Sequence, residues 1–523
     1  MATDSDARRE ADEMRIKNIF RNSFFSLLSQ FVLIFVGFFS QRVMNLTMGE
    51  ALIGMNSVIS NIIAILSVSE LGIASAIIYH LYNALAQQDE EKIASLMNLY
   101  RRAYYLFATA IMVMGLCVLP FVHLFFKENV FSVSYIRLIY SLWLVRTAFS
   151  YLLSYKRSIL IADQKEYVVS IVTLLINVFN YGLIIVILEF WQNYQLALFL
   201  NIIVEAVLNL WIIGYVNRKY PFLKRYCRMP VEKKMMRTIF GEIKNIFISR
   251  LSAKLLLSTD SLIISSFTSV IMVGLYSNYS MITQSVLNFV LALSNAIQPS
   301  VGNLFTEKNQ QRNYEVLRQI TFVFFLIASF CSASLMALMT IFVTDFWLTE
   351  RYRLGVGIVI CCVINIYLSI INFPLSMMMT VSGMFDKERN ISVLYVTVNL
   401  VVSLVLVRPF GVMGVLLGTS ASYLVQIVFR VFIFFKNYLE RSSMRYTVDM
   451  LQYSLLAFLE TFGTYFIVQG VYRDGGFFRF ILAGIICLLV PNAANILFFV
   501  KSWRLYSIGQ MAGELFRRKG GAG

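Results

Sequence analysis

Long apolar stretches recur along the whole chain, and they constrain its fold more than any other feature. A helix needs roughly 20 apolar residues to cross the hydrocarbon core of a bilayer, and about fourteen stretches reach that length. Only helices and closed barrels satisfy their own backbone hydrogen bonds in lipid. The pattern therefore predicts an all-α integral membrane protein with approximate spans at 22–42, 51–79, 103–125, 134–155, 168–189, 194–216, 246–268, 271–297, 320–343, 354–379, 391–408, 411–435, 448–472 and 476–500.

The composition excludes a water-soluble fold. Of the 523 residues, 58% are hydrophobic and 14% are charged, whereas a soluble domain is about 25% charged. A net charge of +16 would suggest nucleic acid in a soluble protein. In a membrane protein the same excess collects in cytoplasmic loops, so we expect no nucleic-acid partner.

The distribution of basic residues predicts the orientation. If the N-terminus is cytoplasmic, about 33 lysines and arginines lie on the inside and about seven on the outside. The basic segment 217–245 is then cytoplasmic. We interpret it as a topology determinant on anionic headgroups, with a flexible joint or a docking strip for assembly enzymes as the alternative. No cleavable signal peptide is visible, and both termini are predicted to be cytoplasmic.

The chain also repeats itself weakly at an offset of about 222–227 residues, which indicates a duplication. The offset relates 16–20 to 243–247, and Lys165-Glu166 to Lys387-Glu388. Because each repeat holds an even number of helices, the repeats are parallel. The predicted organisation is an N-lobe of six helices (1–216), a basic linker (217–245), a C-lobe of six helices (246–436), and two further helices with a tail (437–523).

The sequence lacks features that several other classes of protein require. The longest predicted loop, 217–245, leaves no room for a soluble catalytic domain, and function must then lie between the helices. No Walker A sequence or zinc motif appears. The 6 cysteines show no metal-ligand spacing. We therefore expect neither an enzyme nor a resident metal or cofactor, and we leave proton or sodium coupling open.

One part of the sequence resembles a known family. The matching segments are Gly49-Glu50, Ile53-Gly54-Met55-Asn56, Ser69-Glu70-Leu71-Gly72-Ile73-Ala74-Ser75-Ala76, Gln88-Asp89-Glu90-Glu91-Lys92-Ile93 and Ala162-Asp163-Gln164-Lys165-Glu166-Tyr167. They are similar to the polysaccharide flippases (O-antigen, capsule and exopolysaccharide repeat-unit, Wzx-type) of the multidrug/oligosaccharidyl-lipid/polysaccharide (MOP) superfamily. The resemblance implies a MATE/MOP-like fold with a cationic cavity between two six-helix lobes, in the bacterial cytoplasmic membrane. It further implies that an undecaprenyl-diphosphate-linked oligosaccharide is moved to the outer leaflet by alternating access.

Anionic phosphates are recognised by arginine and lysine, so basic residues within the spans are the candidate ligands. Arg146 lies in the middle of the fourth span, with an ion pair to Glu205 as the structural alternative. Arg250 and Lys254 share one face of the seventh span, with snorkelling to the headgroups as their alternative. Arg42 ends the first span, where anchoring at the interface is the favoured role.

Four further titratable residues are candidates for coupling or charge pairing. Asp260 could bind a proton or sodium, or pair within the bundle. Glu70 could carry a proton, or hold two helices together through a hydrogen bond. Glu205 is a charge within the sixth span. His80 could titrate, although a wetted surface histidine is the favoured interpretation.

Other functions remain open from the sequence. The fourteen-helix members of the superfamily include lipid II flippases. A cation-coupled multidrug exporter of the same fold is a second alternative, and a membrane glycan polymerase is one of a different class. Exporters of cationic drugs favour acidic cavities, whereas the charged residues within these spans are rich in cations. We expect a monomer whose partners are the lipid-linked glycan and membrane lipids.

Overall fold

The computed structural model describes residues 2–67, 73–127, 130–226, 233–305, 309–473 and 475–500. Within these ranges, the side chains of 2–27, 73–76, 79, 154, 233–246, 249 and 303 are not described. The chain divides into two compact units, Met1–Gly274 and Leu275–Gly523. The division falls inside one helix, α10 (Val270–Phe305).

The described ranges contain α-helices and short helical turns, without strands. The first unit contains α1 (Ala2–Leu66), α2 (Ile73–Ala86), α3 (Glu90–Val118), α4 (Val133–Ser154), α5 (Arg157–Ala162), α6 (Glu166–Trp191), α7 (Tyr194–Lys219), α8 (Phe222–Arg225) and α9 (Lys233–Phe267). After α10, the second unit contains α11 (Gln310–Ile341), α12 (Val356–Val381), α13 (Phe385–Phe410), α14 (Val412–Phe434), α15 (Met444–Val471) and α16 (Phe477–Phe499).

In the described ranges, 12 helices are long and apolar enough to cross a membrane. The all-α, multi-pass prediction is thereby confirmed. Each predicted span overlaps a helix, and the count differs for two local reasons. Leu28–Leu66 counts as one span although it covers most of two predicted ones. The predicted span 246–268 lies in α9, part of whose side chains are outside the described set. Large apolar side chains such as Phe35, Phe190 and Phe478 are exposed, as expected of surfaces in contact with lipid.

Helix α1 changes direction at Gly49, whose backbone angles (φ 79°, ψ 172°) are not helical. Only glycine adopts this region at little cost. The first two predicted spans are therefore joined by a bend within helical structure rather than by a loop. The second of them, predicted to run through 51–79, is also divided, because α1 ends at Leu66 and α2 begins at Ile73.

Two connections between predicted spans, 268–271 and 408–411, are so short that they predict tight helical hairpins, and both hairpins are present. Helix α9 ends at Phe267 and α10 begins at Val270. Helix α13 ends at Phe410 and α14 begins at Val412, with Gly411 at φ 54° forming the turn. A Cβ at Gly414 or Gly418 would overlap atoms of Leu406 or Ser403 in α13. The glycines of α14 thus allow the two helices of this hairpin to pack closely.

A second close approach joins α1 to the start of α10 within the first unit. A Cβ at Gly54 would overlap the carbonyl oxygen of Val270, and a Cβ at Gly274 would overlap the carbonyl oxygen of Glu50. The two glycines therefore let the backbones meet directly, as small residues do at helix crossings in membranes. The contact requires the absence of a side chain at both positions.

The core of the second unit contains a cluster of rings shared by α11, α15 and α16. The Phe325 and Tyr453 rings stack at 4.5 Å, and the Phe322 ring meets the edge of Phe499 at 4.9 Å. Such aromatic pairs add about 0.5–1.5 kcal/mol each beyond the area they bury. Helices α15 and α16 are thus firmly packed against α11.

Replacing Gly54 with alanine should destabilise the protein, because the new methyl group meets backbone that cannot rotate away. Overpacking of this kind costs about 1–3 kcal/mol. Gly182→Ala on α6 is the matched control, since nothing lies within 4 Å of its added Cβ. We expect Gly54→Ala to lower the apparent melting temperature of the purified protein and Gly182→Ala to leave it unchanged or slightly raised. Equal melting temperatures for the two variants would contradict the close crossing.

Candidate functional site

Arg146 lies on α4 and is held by two neighbours. Its Nε donates to Oε2 of Glu205 on α7 at 2.8 Å, and its guanidinium carbon lies 5.3 Å from the ring centroid of Trp143. The Trp143 indole in turn donates to Oδ1 of Asn56 on α1 at 2.8 Å. Three helices of the first unit are joined by this set of contacts. An ion pair of this kind removes most of the cost of a charge in a membrane segment.

The remaining donors of Arg146 are available for other partners. Its two Nη groups make no hydrogen bond with the described residues, and its side chain is 22% exposed. Glu205 therefore fixes the orientation of the guanidinium through Nε and leaves the fork of Nη groups free. The pair named as the structural alternative is formed, and a contact between Arg146 and substrate remains a prediction.

Polar groups continue from this pair along one face of α7. Asn201, Glu205 and Asn209 follow one another at intervals of one helical turn, so they share a face. Asn209 accepts from Nη2 of Arg157 at 2.5 Å, and burial lowers the pKa of the Arg157 guanidinium. Asn201 is fully buried, and neither atom of its amide has a partner among the described residues. The spacing of 201, 205 and 209 is visible in the sequence and could have identified this face.

The other predicted site residues lie elsewhere. On α9, Arg250 is exposed, Lys254 is half-buried one turn later, and Asp260 is buried. Arg42 is half-buried on α1, and His80 is half-buried on α2. Glu70 falls outside the described residues. Of the eight predicted residues, Arg146 and Glu205 are the pair that the described structure places in direct contact.

A second feature of the first unit is a basic pocket of about 150 Å³ between the ends of several helices. It is lined by Met97, Asn98, Arg101, Tyr155, Lys156, Asn217, Leu223 and Lys224. Three of these side chains are basic and none is acidic. Lys156 donates to Oδ1 of Asn217, and Nδ2 of Asn98 donates to the carbonyl oxygen of Tyr226 at 2.9 Å.

The charges around this pocket repel one another. Burial lowers the pKa of Lys156 to about 8, with further lowering by Lys224 and Arg101. A phosphate group in the pocket would relieve that repulsion and accept hydrogen bonds from the basic side chains. In the sequence, the three basic residues of this pocket only contributed to the predicted orientation in the membrane. Their meeting in one pocket depends on the packing of α3 against the ends of α4, α7 and α8.

In the second unit, the buried arginines are paired. Arg318 on α11 binds Asp449 on α15 at 2.7 Å. Arg430 on α14 pairs with Glu388 on α13 and donates to Oδ1 of Asn372 on α12 at 2.8 Å. These pairs join neighbouring helices, and both arginines are nearly inaccessible. They function as structural contacts of the second unit.

Comparisons with known proteins support the fold. No protein-family model matches the chain, and no curated protein matches its sequence. Among solved structures, the chain is similar to the lipid II flippase MurJ in an inward closed conformation, at 14% identity and a TM-score of 0.69, over 91% of this chain and 99% of that one. The chain therefore shares the fold of this flippase structure.

Two further solved structures share this fold. A multidrug resistance MATE transporter in an inward-facing conformation matches at 14% identity and a TM-score of 0.62, over 79% of this chain and 96% of that one. A MOP superfamily transporter from Pyrococcus furiosus, described as having a binding pocket of reverse polarity, matches at 14% identity and a TM-score of 0.58, over 82% and 97%. At this identity the similarity shows the fold alone and specifies neither the function nor the substrate.

The pair of Arg146 and Glu205 should show strong energetic coupling. Arg146→Ala leaves a carboxylate that is 15% exposed without its cation, and an unsatisfied buried group costs about 1–3 kcal/mol. We expect each single alanine variant to lower the apparent melting temperature and the double variant to lose less than the sum. Arg353→Ala is the control, because its partner Glu350 is 70% exposed and exposed pairs contribute about 0–1 kcal/mol. Additive losses for Arg146 and Glu205 would argue against the pair.

The basic pocket should bind pyrophosphate in a pH-dependent manner. Lys156→Gln removes one of the three pocket charges, whereas Arg102→Gln removes an equal charge from an exposed position next to Arg101. We expect Lys156→Gln to weaken pyrophosphate binding, measured by calorimetry on the purified protein, and Arg102→Gln to leave it unchanged. Equal weakening by the two variants would indicate a diffuse surface effect.

The pH dependence follows from the lowered pKa of Lys156, about 8 in the folded protein against 10.5 for an ordinary lysine. Wild-type affinity for pyrophosphate should fall as pH rises through about 8, because the folded protein loses this charge there. Without bound anion, between about pH 8 and pH 10.5, the unfolded chain keeps a proton on Lys156 that the folded protein has lost. The contribution of Lys156 to stability therefore increases with pH over the same window.

Proposed function

We propose that the protein is a flippase that moves undecaprenyl-diphosphate-linked oligosaccharide repeat units from the inner to the outer leaflet for cell-surface polysaccharide synthesis. The observation that carries this proposal is the extent of the similarity to a lipid flippase. The match to MurJ covers 91% of this chain, whereas the matches to the multidrug transporters cover 79% to 82%. The sequence resemblance to the polysaccharide flippases supports the same substrate class.

A flippase must carry a polar headgroup past the hydrocarbon while the lipid tail stays in it. A diphosphate and its sugars would lose their water in the bilayer core, at a cost of several kcal/mol for each polar group left unsatisfied. Protein side chains therefore have to replace that water during the passage. The reaction has no covalent step, so the proposed role of the chain is transport and not catalysis.

We assign the phosphate contacts to basic side chains of the first unit. Arg146 is suited to a bidentate contact, because its Nη groups are free of other hydrogen bonds in the described part of the chain and Glu205 fixes its orientation. The proposed further ligands are Arg250, Lys254 and Arg42. The basic pocket of Arg101, Lys156 and Lys224 would receive the diphosphate at the membrane surface before transport.

The energy source is the second part of the proposal. Asp260, Glu205, Glu70 and His80 are the proposed sites of coupling or charge pairing, with proton or sodium as the coupling ion. No other cofactor is proposed. The chain would work as a monomer in the bacterial cytoplasmic membrane, with both termini in the cytoplasm, in contact with membrane lipids and the polysaccharide assembly enzymes.

Transport of lipid II is a second candidate, favoured by one observation. The structure with the TM-score of 0.69 is that of a lipid II flippase, and it matches over 99% of its own length. Both candidates place a lipid-linked diphosphate in the same kind of site. They differ in the sugar headgroup, which the fold does not specify.

Deletion of the gene in its host, followed by mass spectrometry of the lipid-linked intermediates, distinguishes these functions. We expect loss of surface polysaccharide and accumulation of the undecaprenyl-diphosphate-linked repeat unit, because synthesis continues while transport stops. Accumulation of lipid II with lysis would indicate the second candidate. Normal glycan display with altered resistance to cationic dyes would indicate a multidrug exporter and contradict both.

Complementation of the deletion strain tests Arg146 directly. Arg146→Ala should abolish surface polysaccharide while the protein still inserts into the membrane, and Arg102→Gln should restore it fully. The variant with both Arg146→Ala and Glu205→Ala separates the two roles of the arginine. Continued inactivity of that double variant at normal abundance, with Glu205→Ala alone still active, supports contact with substrate, whereas recovery shows that Arg146 only neutralises Glu205.

A further inference from the structure

Helices α11 and α15 run parallel and in constant register. Arg318 binds Asp449, and Ser329 donates to Glu460; both pairs are separated by 131 positions. Asn495 on α16 completes this layer, because its Nδ2 donates to Oε2 of Glu460 at 3.1 Å. The carboxylate of Glu460 thus lies where three helices of the second unit meet.

Glu460 differs from the other buried acid of α15 in having no cation. Asp449 is neutralised by Arg318, whereas Glu460 is 5% exposed and forms no ion pair within the described ranges. It also lies inside a membrane span, Met444–Val471. A buried carboxylate without a counter-charge is strongly unfavourable. Its two hydrogen bonds from Ser329 and Asn495 satisfy one oxygen but supply no positive charge.

Four buried oxygen atoms belong to the same stretches of α11, α15 and α16. They share two properties: the residues are 5% exposed or less, and the atoms make no hydrogen bond within the described part of the chain. They are Oε1 of Glu460, Oδ1 of Asn495, Oγ of Ser332 and Oγ1 of Thr464. Ser332 follows Ser329 by one helical turn and Thr464 follows Glu460 by one turn, so the register of α11 and α15 sets them side by side.

We propose that these four residues form a binding site for one sodium ion. All of the unpartnered atoms are hard oxygen ligands, which alkali and alkaline-earth cations prefer over nitrogen or sulfur. A single carboxylate balances one positive charge, whereas a divalent cation would require further acidic ligands, and none is present in this cluster. The ligands come from three helices, so the ion ties α15 and α16 to α11.

Sodium binding to the purified protein tests this site without any assay of transport. The ion binds only the folded state, so it raises stability by mass action. We expect the apparent melting temperature in nanodiscs to rise to a plateau as choline chloride is replaced by sodium chloride at constant ionic strength. Radioactive sodium should bind with a stoichiometry of one ion per chain. A melting temperature that is the same in both salts, together with no bound sodium, would show that Glu460 is simply protonated and would overturn the proposal.

Variants of the ligands locate the ion. Thr464→Val keeps the shape of the side chain and the carboxylate but removes one oxygen, and should weaken sodium binding about tenfold or more. Glu460→Gln should abolish it. Thr447→Val is the matched control, because Thr447 lies on the same helix at an exposed position. If Thr464→Val binds sodium as tightly as wild type while remaining folded, the ion does not lie at this cluster.

Discussion

The cost of removing charge from water governs the interior of this protein. Within the described ranges, 12 helices are apolar enough to span a bilayer, and a charged group within them is costly unless a partner on another helix neutralises it. Arg146 meets Glu205, Arg318 meets Asp449, and Arg430 meets Glu388. The first two contacts join helices that are distant in sequence, and the third joins the two helices of the α13–α14 hairpin. The same interactions that make the charges tolerable therefore specify which helices pack together.

Close contacts between helix backbones at glycines are the second constraint on packing. Helices in lipid gain little from burying apolar surface against one another, so close backbone approach becomes important. Gly54 and Gly274 permit such an approach between α1 and the start of α10, and Gly414 and Gly418 permit it within the α13–α14 hairpin. Charge pairs and glycine crossings together restrict the arrangement of otherwise similar apolar helices within each unit.

The candidate functional positions are those at which neighbouring side chains in the described structure do not fully satisfy a charged group. The basic pocket holds three positive side chains and no acid, which suits an anionic group. Glu460 is a buried acid with no cation beside it among the described residues, which suits a positive ion. Arg146 is intermediate, since its charge is balanced while its Nη donors make no hydrogen bond within the described structure. The proposed flippase function uses the excess of positive charge in the first unit, and the proposed sodium site uses the unbalanced acid of the second.

The sequence by itself determined the membrane class, the positions of the apolar spans and the two tight hairpins, because hydropathy and connection length are local properties of the chain. The sequence also identified Arg146 and Glu205 as candidates for an ion pair. It did not establish the contact, because the two residues are 59 positions apart. Only the tertiary structure decided that Lys156, Arg101 and Lys224 share one pocket and that Ser329 and Asn495 both donate to Glu460. Helical periodicity assigns each of these residues to a face of its own helix, whereas the face it meets depends on the packing of all neighbouring helices at once.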